Sequence, residues 1–199
     1  MIVAAVLSAG ESRRMGSPKA LLPIGERSFI EEIVFALKKT KVGKILVVLG
    51  HNAAELQSKI AHLPVTFVIN KDYTLGQLSS LVAAIRHLEK QEAQQTVDGI
   101  LVHLVDHPFL SPALVDQMID RFYESKKLIV LPCYQGKRGH PVIFSRDLFD
   151  ELLRASMEQG AKVVVHAHRA ETLEMETGEE GVTVDIDTRD EYRKFVGRE

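Results

Sequence analysis

Short apolar runs alternate along this chain with helical patterns, and this alternation restricts the possible folds more than any other feature. Each run contains few polar residues, which is typical of strands covered on both faces of a sheet. The runs are Ile2–Leu7, Ile45–Leu49, Val65–Ile69, Ile100–Val105 and Leu128–Leu131. Between the runs, apolar residues recur at helical spacing, as at Leu78, Leu81, Val82, Ile85 and Leu88. The alternation predicts an α/β protein with a parallel, doubly wound sheet.

Polar residues mark where several of the helices begin. A small polar residue followed three positions later by Glu has the spacing of a capping box, in which the two side chains satisfy free backbone N–H groups. This spacing occurs at Ser28 with Glu31, Asn52 with Glu55, and Thr188 with Glu191. Ser111 also precedes Pro112, and proline suits the first helical position. These signals predict four helix starts.

The alternation weakens after about Cys133. The segment Tyr134–Pro141 is rich in glycine and charge, and a short apolar run, Val142–Phe144, follows it. This pattern predicts a hairpin excursion from the sheet. Val182–Asp187 predicts a last strand, and Arg189–Val196 predicts a closing helix. Because no repeat or low-complexity linker divides the chain, we expect one domain over residues 1–199.

The composition is that of a globular protein without a broad basic surface. Of the 199 residues, 45% are hydrophobic and 26% are charged, and the net charge is −2. We therefore expect no nucleic-acid partner, and phosphate binding has to be local. The single cysteine excludes an internal disulfide and is compatible with a reducing compartment. The apolar runs are too short for a membrane span or a signal peptide, so we expect a cytoplasmic protein that does not contact membranes.

A loop of small and cationic residues, Ser8–Lys19, follows the first predicted strand. In open α/β sheets, ligands bind at the carboxyl ends of the strands. Small residues let backbone amides approach phosphate oxygens, and Arg14 and Lys19 add positive charge. The loop lacks the spacing of a Walker A loop and of the dinucleotide fingerprint. The loop therefore predicts binding of a nucleoside triphosphate. The alternative is a flexible, solvated loop that carries a few positively charged side chains.

Acidic residues lie at or just after the ends of two other predicted strands. Asp106 ends an interior strand, where a carboxylate suits Mg²⁺, although it could instead cap the following turn, a position that Ser111 fits better. Strand alternation would place Asp185 and Asp187 on one face, and paired carboxylates favour a bound cation. The alternative is that one of them supports Thr188 at the helix start.

Together these segments resemble the MobA-like family of molybdenum-cofactor nucleotidyltransferases, and within it the MocA-like cytidylyltransferases. The family carries L-x-A-G-x-S-x-R-M-G-x-x-K-x-L-L-P near its N-terminus. This chain matches that pattern at Leu7, Ala9, Gly10, Ser12, Arg14, Met15, Gly16, Lys19, Leu21, Leu22 and Pro23. Further matches, in chain order, are Leu49-Gly50-His51, Asn70 with Gly76 and Ser79-Ser80, Asp106 with Pro108, Arg138-Gly139-His140-Pro141, and Asp185-Ile186-Asp187-Thr188. The last two matches favour the MocA-like branch over the guanylyl-transferring branch.

The resemblance implies an enzyme that transfers CMP from CTP to the phosphate of molybdopterin, releases pyrophosphate and requires Mg²⁺. The implied catalytic residues are Arg14, Lys19 and Asp106, and the implied metal ligands are Asp106 and Asp187. The implied nucleotide contacts are Leu7, Ser8, Ala9, Gly10, Lys19, Asn70, Ser79 and Ser80. The implied pterin contacts are His107, Arg138 and His140. A molybdoenzyme or a chaperone would receive the product.

The resemblance also implies a Rossmann-like three-layer αβα sandwich whose mostly parallel sheet has a late antiparallel strand. It implies a helix over Gln159–His168, although three valines there favour a strand. Departures from the family pattern include His107 where Gln is usual and Ser8 where Ala is common.

Other functions remain open on the sequence alone. The enzyme could use GTP on the same pterin, or CTP or UTP on a sugar or polyol phosphate. It could also be a non-catalytic protein that delivers the cofactor, although a carrier has little need for a carboxylate pair. A dehydrogenase is disfavoured, because Gly50 and His51 rather than an acidic residue follow the second predicted strand.

Overall fold

Three strands with almost no exposed side chains form the centre of the sheet. These strands are β1 (Ile2–Ser8), β4 (Lys44–Leu49) and β6 (Gly99–Leu104), and β1 pairs in parallel with both of the others. The structure is a computed structural model that describes residues 1–12, 14–91 and 96–197. The prediction of strands covered on both faces is confirmed for this central part of the sheet.

The remaining strands extend the sheet on both sides. They are β5 (Thr66–Ile69), β7 (Ile129–Tyr134), β8 (Lys137–Arg138), β9 (Val142–Ser145) and β10 (Thr172–Glu176). The strand order is β10-β7-β9-β6-β1-β4-β5, with β8 paired to β7. Strand β9 runs antiparallel to both β6 and β7, which confirms the late antiparallel strand, and β7 with β8 forms the predicted hairpin. A separate small hairpin joins β2 (Pro23–Ile24) to β3 (Arg27–Ser28).

Helices cover both faces of the sheet and bury one apolar cluster on each side. One cluster packs α1 (Phe29–Leu37), α2 (Ala53–Lys59) and α4 (Pro112–Ser125) against Ile2, Ala4 and Val6 of β1. The other cluster packs α3 (Gln77–Gln91), α5 (Phe149–Arg154) and α6 (Lys162–Ala167) against Val3, Ala5 and Leu7. Alternate residues of one strand thus face opposite layers. The three-layer αβα architecture is confirmed. Within the described ranges, no helix is long and apolar enough to cross a membrane.

All four predicted helix starts are confirmed, although one of the predicted capping boxes does not form. Capping boxes form at Ser28 and Thr188, and the Ser111 hydroxyl accepts a hydrogen bond from the backbone of Leu114. The predicted box at Asn52 is wrong. Asn52 lies in the left-handed region with φ at 49°, whereas a capping residue is normally extended, and its side chain makes no capping hydrogen bond.

The C-terminal part of the chain differs from its prediction in one element. The predicted last strand, Val182–Asp187, is wrong: a short 3₁₀ helix (Glu180–Thr183) is followed by chain outside the sheet. The backbone of this segment forms hydrogen bonds with loops and not with a strand. For example, the Ile186 N–H donates to the carbonyl of Asp106 at 2.8 Å. The place beside β7 belongs to β10. Helix α6 confirms the helix expected near residues 159–168, and α7 (Arg189–Phe195) confirms the closing helix.

Candidate functional site

A cavity of about 570 Å³ opens at the carboxyl ends of β1, β4 and β6. Its wall is formed by the loop after β1, the start of α2, the segment before α3, and two aspartates. The predicted site residues that line it are Leu7, Ser8, Ala9, Gly10, Arg14, Lys19, Ser80, Asp106 and Asp187. The others, Asn70, Ser79, His107, Arg138 and His140, lie outside this lining set.

The loop after β1 is held in place by its own backbone and by the end of β4. The Ser12 carbonyl accepts a hydrogen bond from the Met15 N–H at 3.0 Å, and the Ser12 hydroxyl accepts one from the Lys19 N–H at 3.1 Å. The His51 N–H donates to the Ala9 carbonyl at 3.0 Å. These bonds fix the ends of the loop and direct Lys19 into the cavity.

Gly50 is a position that the sequence matched to the family pattern without giving it a role. A Cβ atom there would lie 2.7 Å from the Ala9 carbonyl oxygen and 2.5 Å from the Cβ of Tyr73. Only glycine therefore lets the end of β4 approach the loop after β1 so closely.

Lys19 lies between the two aspartates and binds both of them. Its Nζ is 3.0 Å from Oδ2 of Asp106 and also forms an ion pair with Oδ1 of Asp187. Arg14, which is largely exposed, makes a second ion pair with Asp187. Burial alone would lower the pKa of Lys19, but the two carboxylates raise it above its usual value. Burial would likewise raise the pKa of Asp187, but Lys19 and Arg14 lower it. Lys19 and Asp187 are therefore both charged near neutral pH.

The two aspartates come together although they lie far apart in sequence. Asp106 follows β6, and the Ile186 hydrogen bond to its carbonyl draws the segment before α7 alongside. The Glu191 carboxylate then accepts hydrogen bonds from the backbone N–H groups of Asp187 and Thr188 at 2.9 and 2.8 Å. Asp185 is exposed, so only Asp187 of the predicted pair reaches the cavity.

The oxygens of this pair suit a divalent cation that also binds phosphates. Oδ1 of Asp106 is buried and has no hydrogen-bond partner in the structure. Within residues 1–12, 14–91 and 96–197, no group of three or more His, Cys, Asp or Glu side chains is arranged to hold a metal. Mg²⁺ is commonly held by one or two carboxylates, with substrate phosphates and waters completing its shell. The residues present fit that arrangement.

Asn70 and Ser79 lie behind the cavity wall. The side-chain Nδ2 of Asn70 donates to the hydroxyls of Ser79 at 2.8 Å and Ser80 at 3.0 Å. The side-chain Oδ1 of Asn70 accepts a hydrogen bond from the Asp72 N–H at 2.9 Å. All three side chains at 70, 79 and 80 are buried. This network fixes the start of α3, and Ser80 is its member that lines the cavity.

Three histidine rings form a cluster next to Asp106, of which His103 and His107 are buried and His140 is half-buried. The His107 ring is 5.0 Å from the His140 ring and 6.3 Å from the His103 ring, measured between centroids. Burial lowers the pKa of His103 to about 3 and that of His140 to about 4, and it also lowers the pKa of His107. The three rings are therefore neutral, and each keeps a buried Nδ1 without a hydrogen-bond partner. Sequence reasoning missed His103, although a histidine within an apolar strand was a visible signal.

Arg138 lies apart from the cavity and from the histidines. It is on β8, where its Nε donates to the Glu174 carboxylate of β10 at 3.1 Å. The hydrogen bond from Arg138 lowers the pKa of Glu174. The structure thus separates Arg138 from His140, although the two are neighbours in the R-G-H-P motif.

Sequence comparisons with known proteins find a family and relatives that match most of the chain. Residues 4–172 match the family described as "MobA-like NTP transferase domain". A nicotine blue oxidoreductase from Paenarthrobacter nicotinovorans is 27% identical and covers 98% of this chain and 96% of that protein. A probable molybdenum cofactor guanylyltransferase from Thermococcus sibiricus is 26% identical and covers 85% of this chain and 81% of that protein.

Solved structures with the same fold include a mycobacterial protein. The crystal structure of Rv0371c from Mycobacterium tuberculosis H37Rv has a TM-score of 0.85 and 29% identity, covering 98% of this chain and 97% of that chain. A structure of Rv0371c in complex with manganese has a TM-score of 0.81 and 27% identity, covering 100% of this chain and 99% of that chain. The Rossmann-like fold inferred from the sequence is therefore shared with these proteins.

Proposed function

This chain belongs to the MobA-like NTP transferase family, and from that premise we propose that it transfers CMP from CTP to the phosphate of molybdopterin. One observation carries the proposal: Asp106 and Asp187 meet at Lys19, on the wall of a cavity bounded by the loop after β1. A carboxylate pair beside two cations is suited to binding a metal ion and a triphosphate together.

The proposed reaction is a displacement at the α-phosphorus of CTP. An oxygen of the acceptor phosphate forms a bond to that phosphorus, and the bond to the bridging oxygen of the β-phosphate breaks. Pyrophosphate leaves with the bonding electron pair. The acceptor phosphate is largely anionic at neutral pH, because its second pKa is about 6, so the attack requires no general base.

The residues around the cavity would act mainly through charge and position. The amides of Ala9 and Gly10 would contact the nucleotide, and Ser80 would contribute a hydroxyl at the start of α3. Lys19 and Arg14 would stabilise the charge that develops on the leaving pyrophosphate. Asp106 and Asp187 would hold Mg²⁺, which would supply positive charge to neutralise the phosphates.

The acceptor would approach on the histidine side of Asp106. His107 directly follows Asp106, its ring is 5.0 Å from the His140 ring, and each ring keeps an Nδ1 without a hydrogen-bond partner. The pterin has several amide-like groups that could pair with such atoms. A pterin contact by Arg138 stays a prediction from the resemblance, and its ion pair with Glu174 lies outside the cavity.

The test is a substrate panel. Purified protein with Mg²⁺ receives CTP, GTP, UTP or ATP together with molybdopterin, and pyrophosphate release and the dinucleotide product are measured. We expect product with CTP. Product with GTP alone would make the protein a guanylyltransferase, and turnover only with a sugar or polyol phosphate would replace the acceptor. Tight pterin binding without pyrophosphate release from any nucleotide would support a delivery role instead.

The relative named as a nicotine blue oxidoreductase raises a second candidate function, oxidation or reduction of nicotine blue, because the match covers almost the whole of both chains. The cavity offers a discriminating feature, since Gly50 and His51 follow β4 where a dinucleotide-binding fold carries an acidic residue. NADH or NADPH consumption with nicotine blue, in the absence of any nucleoside triphosphate, would favour this candidate over nucleotidyl transfer.

A further inference from the structure

Lys19 occupies the position between the two carboxylates that would hold a metal ion. Its ammonium contacts Oδ2 of Asp106 and Oδ1 of Asp187, while Arg14 contacts the other Asp187 oxygen. The Lys19 side chain is only 12% exposed. Two carboxylates and two cations leave this cluster formally neutral, so the cluster has little net attraction for a further cation.

The backbone of Lys19 is fixed, so only its side chain can leave the aspartates. The Lys19 N–H bonds to the Ser12 hydroxyl, and the residue begins a short 3₁₀ helix, Lys19–Leu21, in which Ala20 is buried. An ammonium group and a divalent ion cannot both sit between the same two carboxylates without strong repulsion. A metal ion that binds without a nucleotide must therefore displace the Lys19 ammonium from the carboxylates, and no phosphate is then present to pair with that ammonium.

We propose that Lys19 makes this carboxylate pair selective for a metal–nucleotide complex over the free metal ion. The inference rests on the proposed function, because it assumes that the cavity receives a nucleoside triphosphate. The phosphates supply oxygens that accept Lys19 and Arg14, so both cations leave the carboxylates as the metal reaches them. The metal and nucleotide then enter together, and each strengthens the binding of the other by the same factor.

The consequence is that the site holds free divalent metal only weakly when no nucleotide is bound. Lys19 and Arg14 exchange their ion pairs with the carboxylates for ion pairs with the phosphates, so every charge stays compensated during binding.

The test compares Lys19→Met with the wild type in the absence of nucleotide. Mn²⁺ binding is followed by the loss of the electron paramagnetic resonance signal of the free ion. We expect Lys19→Met to bind Mn²⁺ at least about tenfold more tightly, because one positive charge beside the metal is removed. Lys41→Met is the matched control, since Lys41 pairs with Asp120 on the exposed surface, and it should bind as the wild type does.

The second half of the test adds CTP, and the order of affinities should then reverse. The wild type should bind the Mn²⁺–CTP complex more tightly than Lys19→Met does, because only the wild type offers an ammonium to the phosphates. Should Lys19→Met fold poorly in a thermal melt, Arg14→Met replaces it; Arg14 is 68% exposed, and its loss should shift Mn²⁺ affinity in the same direction by a smaller factor.

Each outcome decides between the claims. Equal Mn²⁺ affinity of the nucleotide-free wild type and Lys19→Met overturns the role of Lys19, even if CTP is turned over. The expected reversal without turnover on molybdopterin supports the role of Lys19 and rejects only the proposed acceptor. Absence of Mn²⁺ binding to every protein, with and without CTP, overturns both this inference and the metal assignment.

Discussion

At the scale of single residues, the two carboxylate oxygens of Asp106 have different surroundings. Oδ2 binds Lys19, whereas Oδ1 is buried without a partner. Replacement by asparagine keeps the shape but removes the charge that a metal ion and Lys19 both need. We expect Asp106→Asn to reduce kcat/KM for pyrophosphate release by about 10²-fold or more, with little change in the thermal melting curve.

Asp185→Asn is the matched control for that variant. Asp185 lies two residues before Asp187 in the segment that leads to α7, but its side chain is exposed and lies outside the cavity. It should retain the activity of the wild type. Turnover by Asp106→Asn at the rate of Asp185→Asn would show that Asp106 does not hold the metal.

Gly139 makes a second prediction at this scale. A Cβ atom at this position would lie 2.7 Å from the carbonyl carbon of Val182, and closer still to its oxygen. Both contacts are with backbone, which cannot move aside as a flexible side chain can. We expect Gly139→Ala to lower the free energy of unfolding by about 1–3 kcal/mol, as overpacking generally does, when measured by urea denaturation.

Gly178→Ala is the control, because a Cβ atom there would meet no neighbour within 4 Å. It should unfold close to the wild-type urea concentration. The Gly139 variant should also bind Mn²⁺–CTP less tightly, because Val182 begins the segment that leads to Asp187. If both variants unfold at one urea concentration, the chain near Val182 can shift without cost, and Gly139 does not position Asp187.

At the scale of elements, helix α7 positions a site residue through its first turn. The Glu191 carboxylate accepts hydrogen bonds from the backbone of Asp187 and from the backbone and hydroxyl of Thr188. Glu191→Ala removes these contacts, so we expect a loss of about 1 kcal/mol in the free energy of unfolding, a typical value for a lost helix cap. We also expect weaker binding of Mn²⁺–CTP, measured by titration calorimetry.

Asp190→Ala is the adjacent control, since the Asp190 side chain is 93% exposed and pairs only loosely with Arg193. It removes a carboxylate from the same turn without touching the Asp187 backbone. Equal metal–nucleotide affinities of the two variants would argue against a positioning role for Glu191.

The sequence predicts best those elements whose residues directly show how they are buried. The strands β1, β4 and β6 are apolar on both faces because helices cover both faces, so their runs are unambiguous. Strand β10 has the sequence Thr-Leu-Glu-Met-Glu, in which apolar and acidic residues alternate, because the strand lies at the edge of the sheet. The sequence analysis did not predict this strand. In Val182–Asp187 the alternation of buried and polar residues imitates a strand, yet its backbone bonds to loops from distant parts of the chain.

The site was predictable to the extent that it follows from topology. Residues at the carboxyl ends of parallel strands meet at one edge of the sheet, so the convergence of Lys19 and Asp106 follows from the fold. The ion pairing of Lys19 with both aspartates did not follow, because it depends on where a flexible side chain rests. The separation of Arg138 from His140 depends on the pairing of β8 with β7, which no local pattern reveals.

At the scale of the whole molecule, the histidines next to Asp106 make stability depend on pH. The pKa of His103 is about 3 and that of His140 about 4 in the folded protein, whereas both are near 6.5 when exposed. The unfolded chain therefore binds more protons than the folded one below about pH 6.5. The stability that is present above this pH should be lost progressively as the pH falls towards the folded values.

Urea denaturation at about pH 7.5 and about pH 5.5 measures this effect, and each histidine should contribute a loss of about 1.4 kcal/mol per pH unit below its unfolded pKa. His103→Leu removes one of the two groups, so its free energy of unfolding should fall less steeply with pH than that of the wild type. Carboxylates that titrate in the same range are common to both proteins and cancel in the comparison. Identical pH dependence in the two proteins would mean that His103 is protonated in the folded state, and the neutral histidine cluster next to Asp106 would then be wrong.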